Sequence, residues 1–271
     1  MKDRPGTPDQ PSGMGSSSEL EEEFISVAEM QRKIMPDPNI VRRYHDFDIY
    51  GGTLPIQWVG GDFYDFISLK GFHIQERLGL VIADVSGHGL SAAMLVRDFN
   101  TALYAGIAFE AHYANDTTPL LFEILNSRMF RSSLANQYIT AFYGELHPDG
   151  KFRYINAGHL APLLFRSHGV RPLREGGPVL GAFEPPPVPY QVGEVMMNPG
   201  DLLVAYSDGI LEAVDQEDRE YGVERLQHTV RQYDRRPVRE IFQAVLKDVD
   251  TFTHEAPRSD DRTLIIVRKR A

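Results

Sequence analysis

The sequence predicts an α+β protein in which antiparallel β-sheets are flanked by α-helices, and three observations lead there. Three strand-like runs follow one another between Tyr138 and Arg166 with no helix between them, and Asp149-Gly150 supplies a tight-turn dipeptide for a hairpin. The helix-like segments come in groups instead of alternating one for one with strands, which argues against a doubly wound parallel sheet. A chain of 271 residues, 42% of them hydrophobic, is long enough to bury one large core, and two sheets flanked by helices fit it.

Residues 1–18 hold Pro5, Pro8, Pro11 and repeated Gly and Ser, so they read as a disordered tail or linker that cannot offset its own ordering entropy. Residues 19–36 read as a helix, because Leu20, Phe24, Val27, Gln31 and Ile34 recur at helical spacing along one stripe, and Pro36 and Pro38 end it. Two roles stay open for that stripe. It packs on its own domain, or it pairs with a second copy as a short coiled coil, in which case Gln31 would orient the pair at some loss of stability. The remainder, residues 37–271, reads as one domain. Strand-like runs fall at 56–69, 78–84, 138–146, 152–156, 162–166, 202–207 and 263–268, and helix-like segments at 90–107, 119–135, 223–233 and 237–254.

Composition removes several classes of function. The chain has no cysteine, which excludes disulfides, thiolate zinc sites and cysteine-nucleophile phosphatase chemistry. Any metal would be held by oxygen or imidazole. A formal net charge of −10 argues against nucleic acid and anionic membranes as partners. No apolar run approaches the roughly eighteen residues of a membrane span, and no signal-peptide core is visible, so a cytoplasmic location is expected.

The chemistry concentrates in acids at strand ends. The apolar run Leu78, Leu80, Val81, Ile82, Ala83 stops at Asp84, and Gly87 and Gly89 follow before the next helix-like segment. Asp62 follows Val59-Gly60-Gly61, Asp208 follows the run ending Ala205-Tyr206-Ser207, and Asp260-Asp261 precede Arg262-Thr263-Leu264. Singly, each fits a turn or a solvated strand entry equally well. Taken together they suit a hard cation, since carboxylates, carbonyls and water are the ligands of Mg²⁺ and Mn²⁺ and clustered acids repel one another without a cation.

These residues resemble the SpoIIE and RsbU branch of the PPM-type metal-dependent serine/threonine phosphatases of bacteria. Five motifs stand in the family's order: residues 60–65 (Gly-Gly-Asp-Phe-Tyr-Asp), 83–89 (Ala-Asp-Val-Ser-Gly-His-Gly), 156–159 (Asn-Ala-Gly-His), 206–212 (Tyr-Ser-Asp-Gly-Ile-Leu-Glu) and 259–263 (Ser-Asp-Asp-Arg-Thr). Residues 29–36 resemble the end of the regulatory linker helix that precedes this domain in the family. The resemblance implies two stacked antiparallel sheets flanked by helices, with two Mn²⁺ or Mg²⁺ ions at one end of the sandwich. By motif, Asp84 would bridge both ions with the Val85 carbonyl supporting one, Asp208 and Asp260 would complete the other shell, and Asp62 would hold a bound water. Asp261 ranks second to Asp260 as a ligand.

The implied reaction is hydrolysis of phosphoserine or phosphothreonine by a water held between the two ions, with no covalent phosphoenzyme. The implied substrate is a phosphorylated STAS-domain anti-anti-sigma factor in a partner-switching pathway, with a homodimer through the N-terminal helix as a possible regulatory state. His88 and His159 lie in motifs, and structural packing is the stronger reading of both. Arg42 and Arg43 lie near the position of a phosphate-binding arginine in eukaryotic members but match no motif. Residues 175–181 resemble a family loop at the edge of the site. Two alternatives are kept: a degenerate domain that binds phosphoproteins without turnover, and a different two-metal phosphohydrolase. Gly60-Gly61-Asp62-Phe63 superficially resembles a diguanylate cyclase signature but lacks the Glu that signature needs before Phe.

Overall fold

The computed structural model describes residues 17–36, 41, 44–56, 59–69, 77–87, 89–113, 118–134, 136–254, 256 and 258–270. The expected tail through residue 16, and Arg42, Arg43 and His88, lie outside the described residues. In chain order the helices are α1 (Ser17–Lys33), α2 (Leu90–Tyr113), α3 (Thr118–Ser132), α4 (Asp208–Leu211), α5 (Gly222–Gln232) and α6 (Val238–Phe252). The strands are β1 (Phe47–Leu54), β2 (Asp62–Ser68), β3 (Leu78–Val85), β4 (Ile139–Leu146), β5 (Lys151–Ala157), β6 (Leu163–Arg166), β7 (Gly169–Pro172), β8 (Gly176–Gly177), β9 (Gly193–Met196), β10 (Leu202–Tyr206) and β11 (Arg262–Lys269).

One sheet runs β1-β11-β10-β6-β7, antiparallel throughout; the other runs β2-β3-β4-β5-β8, with β9 also paired to β5. Only the two-residue contact of β5 with β8 is parallel among these pairings. The α+β class with two sheets flanked by helices is therefore as expected. The hairpin at Asp149-Gly150 is present too, with β4 and β5 paired antiparallel and Gly150 at φ +96°.

Alternation along the strands explains the layering. In β3, Leu80 and Ile82 join Phe142, Leu203, Ala205, Ile265 and Val267 in the core between the sheets, while Val81, Ala83 and Val85 join Leu95, Phe99, Leu121 and Leu125 under α2 and α3. In β11, Leu264 and Ile266 meet Leu226, Val230, Ile241 and Val245 of α5 and α6 on the other side. Strands buried on both faces read as continuous apolar runs, which is why the central ones were legible. Of the expected 56–69 run, the strand starts only at Asp62. Four strands were not anticipated: β1, which carries Gly51-Gly52 and shows little alternation, and the short β7, β8 and β9.

The N-terminal helix packs on its own chain. Ala28 is buried against Val59 and Ala93, and Gln31 is buried as well. The Gln31 amide donates from Nε2 to the Gly60 carbonyl at 2.8 Å and accepts from the Gly60 N–H at 3.2 Å.

Candidate metal centre

All the predicted acids arrive at one pole of the sandwich because antiparallel neighbours bring the start of one strand beside the end of the next. Asp62 opens β2 and is the cross-strand partner of Asp84 at the end of β3. On the other sheet, β10 ends at Tyr206 and leads through Ser207 into Asp208, beside the start of β11 and Asp260-Asp261. Strand parity aims them inward: Asp84 lies two residues beyond Ile82, and Asp62 two before Tyr64, so both carboxylates face the gap between the sheets. Thr263 has the parity of Ile265 and bridges that gap, its Oγ1 donating to Asp62 Oδ2 at 2.6 Å.

Asp84, Asp208, Asp260 and Asp261, with Val85, Gly60, Gly61 and Thr140, line an open cavity of about 360 Å³. Asp62 does not border it; it is almost fully buried and borders a second cavity of about 720 Å³ that Gln31 and Arg32 of α1 also line. The two cavities share Ile56 and Gly60 as walls.

The two neighbouring aspartates are placed differently. Asp261 is buried and accepts from the Ile56 N–H at 2.8 Å with Oδ1 and from the Asp62 N–H at 3.3 Å with Oδ2. Its carboxylate fixes the loop that carries Asp62. Asp260 is exposed, and its Oδ1 accepts from the Asp261 N–H at 2.8 Å. Gly60 is required at its position, since a β-carbon there would overlap Asp261 Oδ2. Ser207 continues the β10–β11 pairing to the same level: its N–H donates to the Thr263 carbonyl at 3.0 Å and its Oγ accepts from the Thr263 N–H at 2.9 Å.

The electrostatics show negative charge without compensation. Burial, then the carboxylates of Asp208, Asp260, Asp261 and Glu212, push Asp84 up to about 7. Burial and Asp84 hold Asp62 well above the usual carboxylate range, against the lowering effect of Thr263. Asp208 is raised by burial, Asp260 and Glu212. Such a set suits a divalent cation, which would relieve the repulsion. Among the described residues, no three His, Asp or Glu side chains form a group that could hold an ion as they stand; the carboxylates line the cavity wall. That spacing is compatible with Mg²⁺ or Mn²⁺, since Mg²⁺ in particular retains several waters and takes only one or two carboxylates.

His159 is a structural residue here. Its Nδ1 lies 2.9 Å from Thr140 Oγ1, its N–H donates to Asn156 Oδ1 at 2.8 Å, and burial lowers its pKa to about 4. A neutral imidazole buried behind Thr140 lacks the acidic imidazolium proton and is a poor general acid for a leaving group at neutral pH. Residues 175–181 reach the site's edge through Leu180, which pairs with Ile139 beside Thr140.

Sequence reasoning missed Gln31, Thr140 and Thr263 as supports. Gln31 had a visible signal, a lone amide in an apolar helical stripe. Thr263 could have been found by strand parity once β11 was placed opposite Asp62, but that pairing is long-range and leaves no local mark.

The family model for Stage II sporulation protein E (SpoIIE) matches residues 74–270. Protein IcfG of Synechocystis is 27% identical over 200 residues, covering 65% of this chain and 31% of that protein. Phosphoserine phosphatase RsbP of Bacillus subtilis is 26% identical over 161 residues, covering 57% of this chain and 37% of that protein. The chain thus spans about a third of the length of these relatives. Among solved structures, the SiaA-PP2C domain of Pseudomonas aeruginosa superposes with a TM-score of 0.78 at 18% identity, covering 94% of this chain and 99% of that one.

Proposed function

Since this chain belongs to the SpoIIE family, a family of PP2C-type protein phosphatases, we propose that it hydrolyses phosphoserine or phosphothreonine in a protein substrate with two bound Mn²⁺ or Mg²⁺ ions. The observation that carries this reading is the meeting of Asp84, Asp208 and Asp260 around one open cavity, where burial first and then the neighbouring carboxylates push Asp84 up to about 7. In it, Asp84 and the Val85 carbonyl hold ions from one sheet, and Asp208 and Asp260 hold them from the other. Asp62, kept in place by Thr263, stands behind them as a further ligand or water acceptor. Asp260 is favoured over Asp261 because both Asp261 oxygens are engaged by backbone amides. Bound there, the ions would supply Lewis acidity, lower the pKa of a water and neutralise phosphoryl charge. The chain's own contribution is to fix carboxylates of both sheets in one rigid frame and to keep His159 neutral and out of proton transfer.

The substrate we favour is a phosphorylated STAS-domain anti-anti-sigma factor in a cytoplasmic partner-switching pathway. We further assign α1 a regulatory role, with a homodimer through it as one state. The direct contact of Gln31 with Gly60 supports coupling between helix and site. Comparing hydrolysis with and without residues 1–35, at matched metal and several protein concentrations, tests this; equal, concentration-independent rates would remove the role.

The primary experiment is Mn²⁺-dependent phosphate release from an aryl phosphate by wild type, Asp84→Asn and Asp208→Asn. Undiminished release by both variants would refute the site. The alternatives are tested in the same series: a degenerate phosphoprotein-binding domain would show no turnover at all, and a different two-metal phosphohydrolase would prefer a cyclic dinucleotide to a phosphopeptide.

A further inference from the structure

The opposite pole of the sandwich carries a larger cleft, of about 940 Å³. Leu202, at the start of β10, pairs with Arg268 and Phe165 there, while Tyr206 at the other end of β10 pairs with Leu264 near the acids. The two sites are thus separated by the length of a five-residue strand, about 15 Å or more. The cleft is walled by the β6–β7 hairpin, the loop before β10, the end of α5 with the residues after it, and Arg268. Its lining holds five arginines and two aspartates, a formal +3 in a chain of −10.

The arginines are mostly fixed by main-chain carbonyls, which orient them without cancelling their charge. Arg231 donates to the Arg166 carbonyl at 2.9 Å and the Gly169 carbonyl at 2.8 Å, and its guanidinium lies 5.2 Å from the Phe165 ring centroid. Arg166 donates to the Met196 carbonyl at 2.8 Å, with its Nε 3.5 Å from Asp201. Arg171 pairs with Glu175 at 3.0 Å. Arg235 is exposed and has no ion-pair or hydrogen-bond partner among the described residues.

We propose that this cleft docks an acidic, Asp- and Glu-rich segment of a partner protein. The cations come from separate chain segments and not from one phosphate-gripping loop, and the volume suits several carboxylates spaced along a chain. Phe165 is buried beneath Arg231 and the lining offers no exposed Phe, Tyr or Trp to a nucleotide base; its one exposed ring is the small imidazole of His168. The cations line a concave cleft between a hairpin, a loop and a helix end, whereas anionic lipid is met by Lys and Arg clusters on amphipathic helices or juxtamembrane segments. The inference does not depend on the phosphatase reading, because the cleft and the acidic cavity share no lining residue.

The test is fluorescence anisotropy of a labelled Asp/Glu-rich peptide with the full chain, against an Asn/Gln-rich control of the same length. Ser167 and Arg235 are both exposed at the cleft, so Ser167→Glu/Arg235→Glu takes its formal charge from +3 to zero without touching the core. The acidic peptide should bind, weaken at raised salt, and lose about tenfold or more in affinity with the double variant. Mn²⁺-dependent aryl phosphate hydrolysis should stay at the wild-type rate. Failure of the wild type to bind, equal binding by the variant, or equal binding of the control peptide would overturn the proposal. Complete displacement by millimolar inorganic phosphate would also overturn it, by making the cleft a small-anion site.

Discussion

Replacing Asp84 by Asn should stabilise the metal-free protein at alkaline pH while removing its response to metal. Asp84 titrates near 3.8 when unfolded and near 7 in the fold, raised by burial and then by Asp208, Asp260, Asp261 and Glu212. The folded state therefore binds the extra proton between about pH 4 and 7, and stability falls as pH rises through that window. About three pH units at 1.36 kcal/mol each set the full penalty at about 4 kcal/mol above pH 7. An amide carries no such charge, so Asp84→Asn should gain up to that amount at pH 8 and little at pH 4. Conversely, Mn²⁺ binding only the folded state should stabilise wild type by about 3 kcal/mol at a hundred times its dissociation constant. The assay is urea unfolding at pH 4, 5 and 8, with chelator or with Mn²⁺. A variant no more stable than wild type at pH 8 in chelator, or one that Mn²⁺ stabilises equally well, would refute the reasoning.

Three further outcomes are expected. Gln31→Leu leaves the Gly60 N–H and carbonyl buried without their partner, which should cost about 1–3 kcal/mol and lower the apparent Mn²⁺ affinity; titrating hydrolysis against Mn²⁺ reads this, and an unchanged midpoint would separate α1 from the site. Gly60→Ala forces Asp261 off the amides of Ile56 and Asp62, so hydrolysis should be lost in a protein that keeps its circular dichroism, and an active variant would contradict the packing. Asp260→Asn should reduce hydrolysis through metal affinity, with excess Mn²⁺ recovering part of it, whereas Asp261→Asn should act mainly on thermal stability; the reverse pattern would exchange the two roles.

The central strands were legible because burial on both faces gives them continuous apolar runs, residues 78–83 in β3 and 264–267 in β11. The amphipathic helices over α2, α3, α5 and α6 were legible from their spacing. The strand β1 was not, since Gly51-Gly52 breaks its pattern and its register is set by pairing with β11, more than two hundred residues away. The role of α1 was open for the same reason: a helical stripe states that a face is buried but not against what, and only the fold places Gln31 on Gly60.

By itself the sequence singled out the candidate acids, because an apolar run that stops at a carboxylate is a local pattern. It also narrowed the chemistry, since the absence of cysteine removes thiolate ligands and nucleophiles and the ordered acidic motifs suit a hard cation. The tertiary structure alone decided which carboxylates share a wall and which are set behind it. Asp84, Asp208 and Asp260 line one cavity, Asp62 lies behind them on Thr263, and Asp261 is tied to backbone amides. Those differences arise from strand parity and from cross-sheet pairs about two hundred residues apart, which no local pattern encodes.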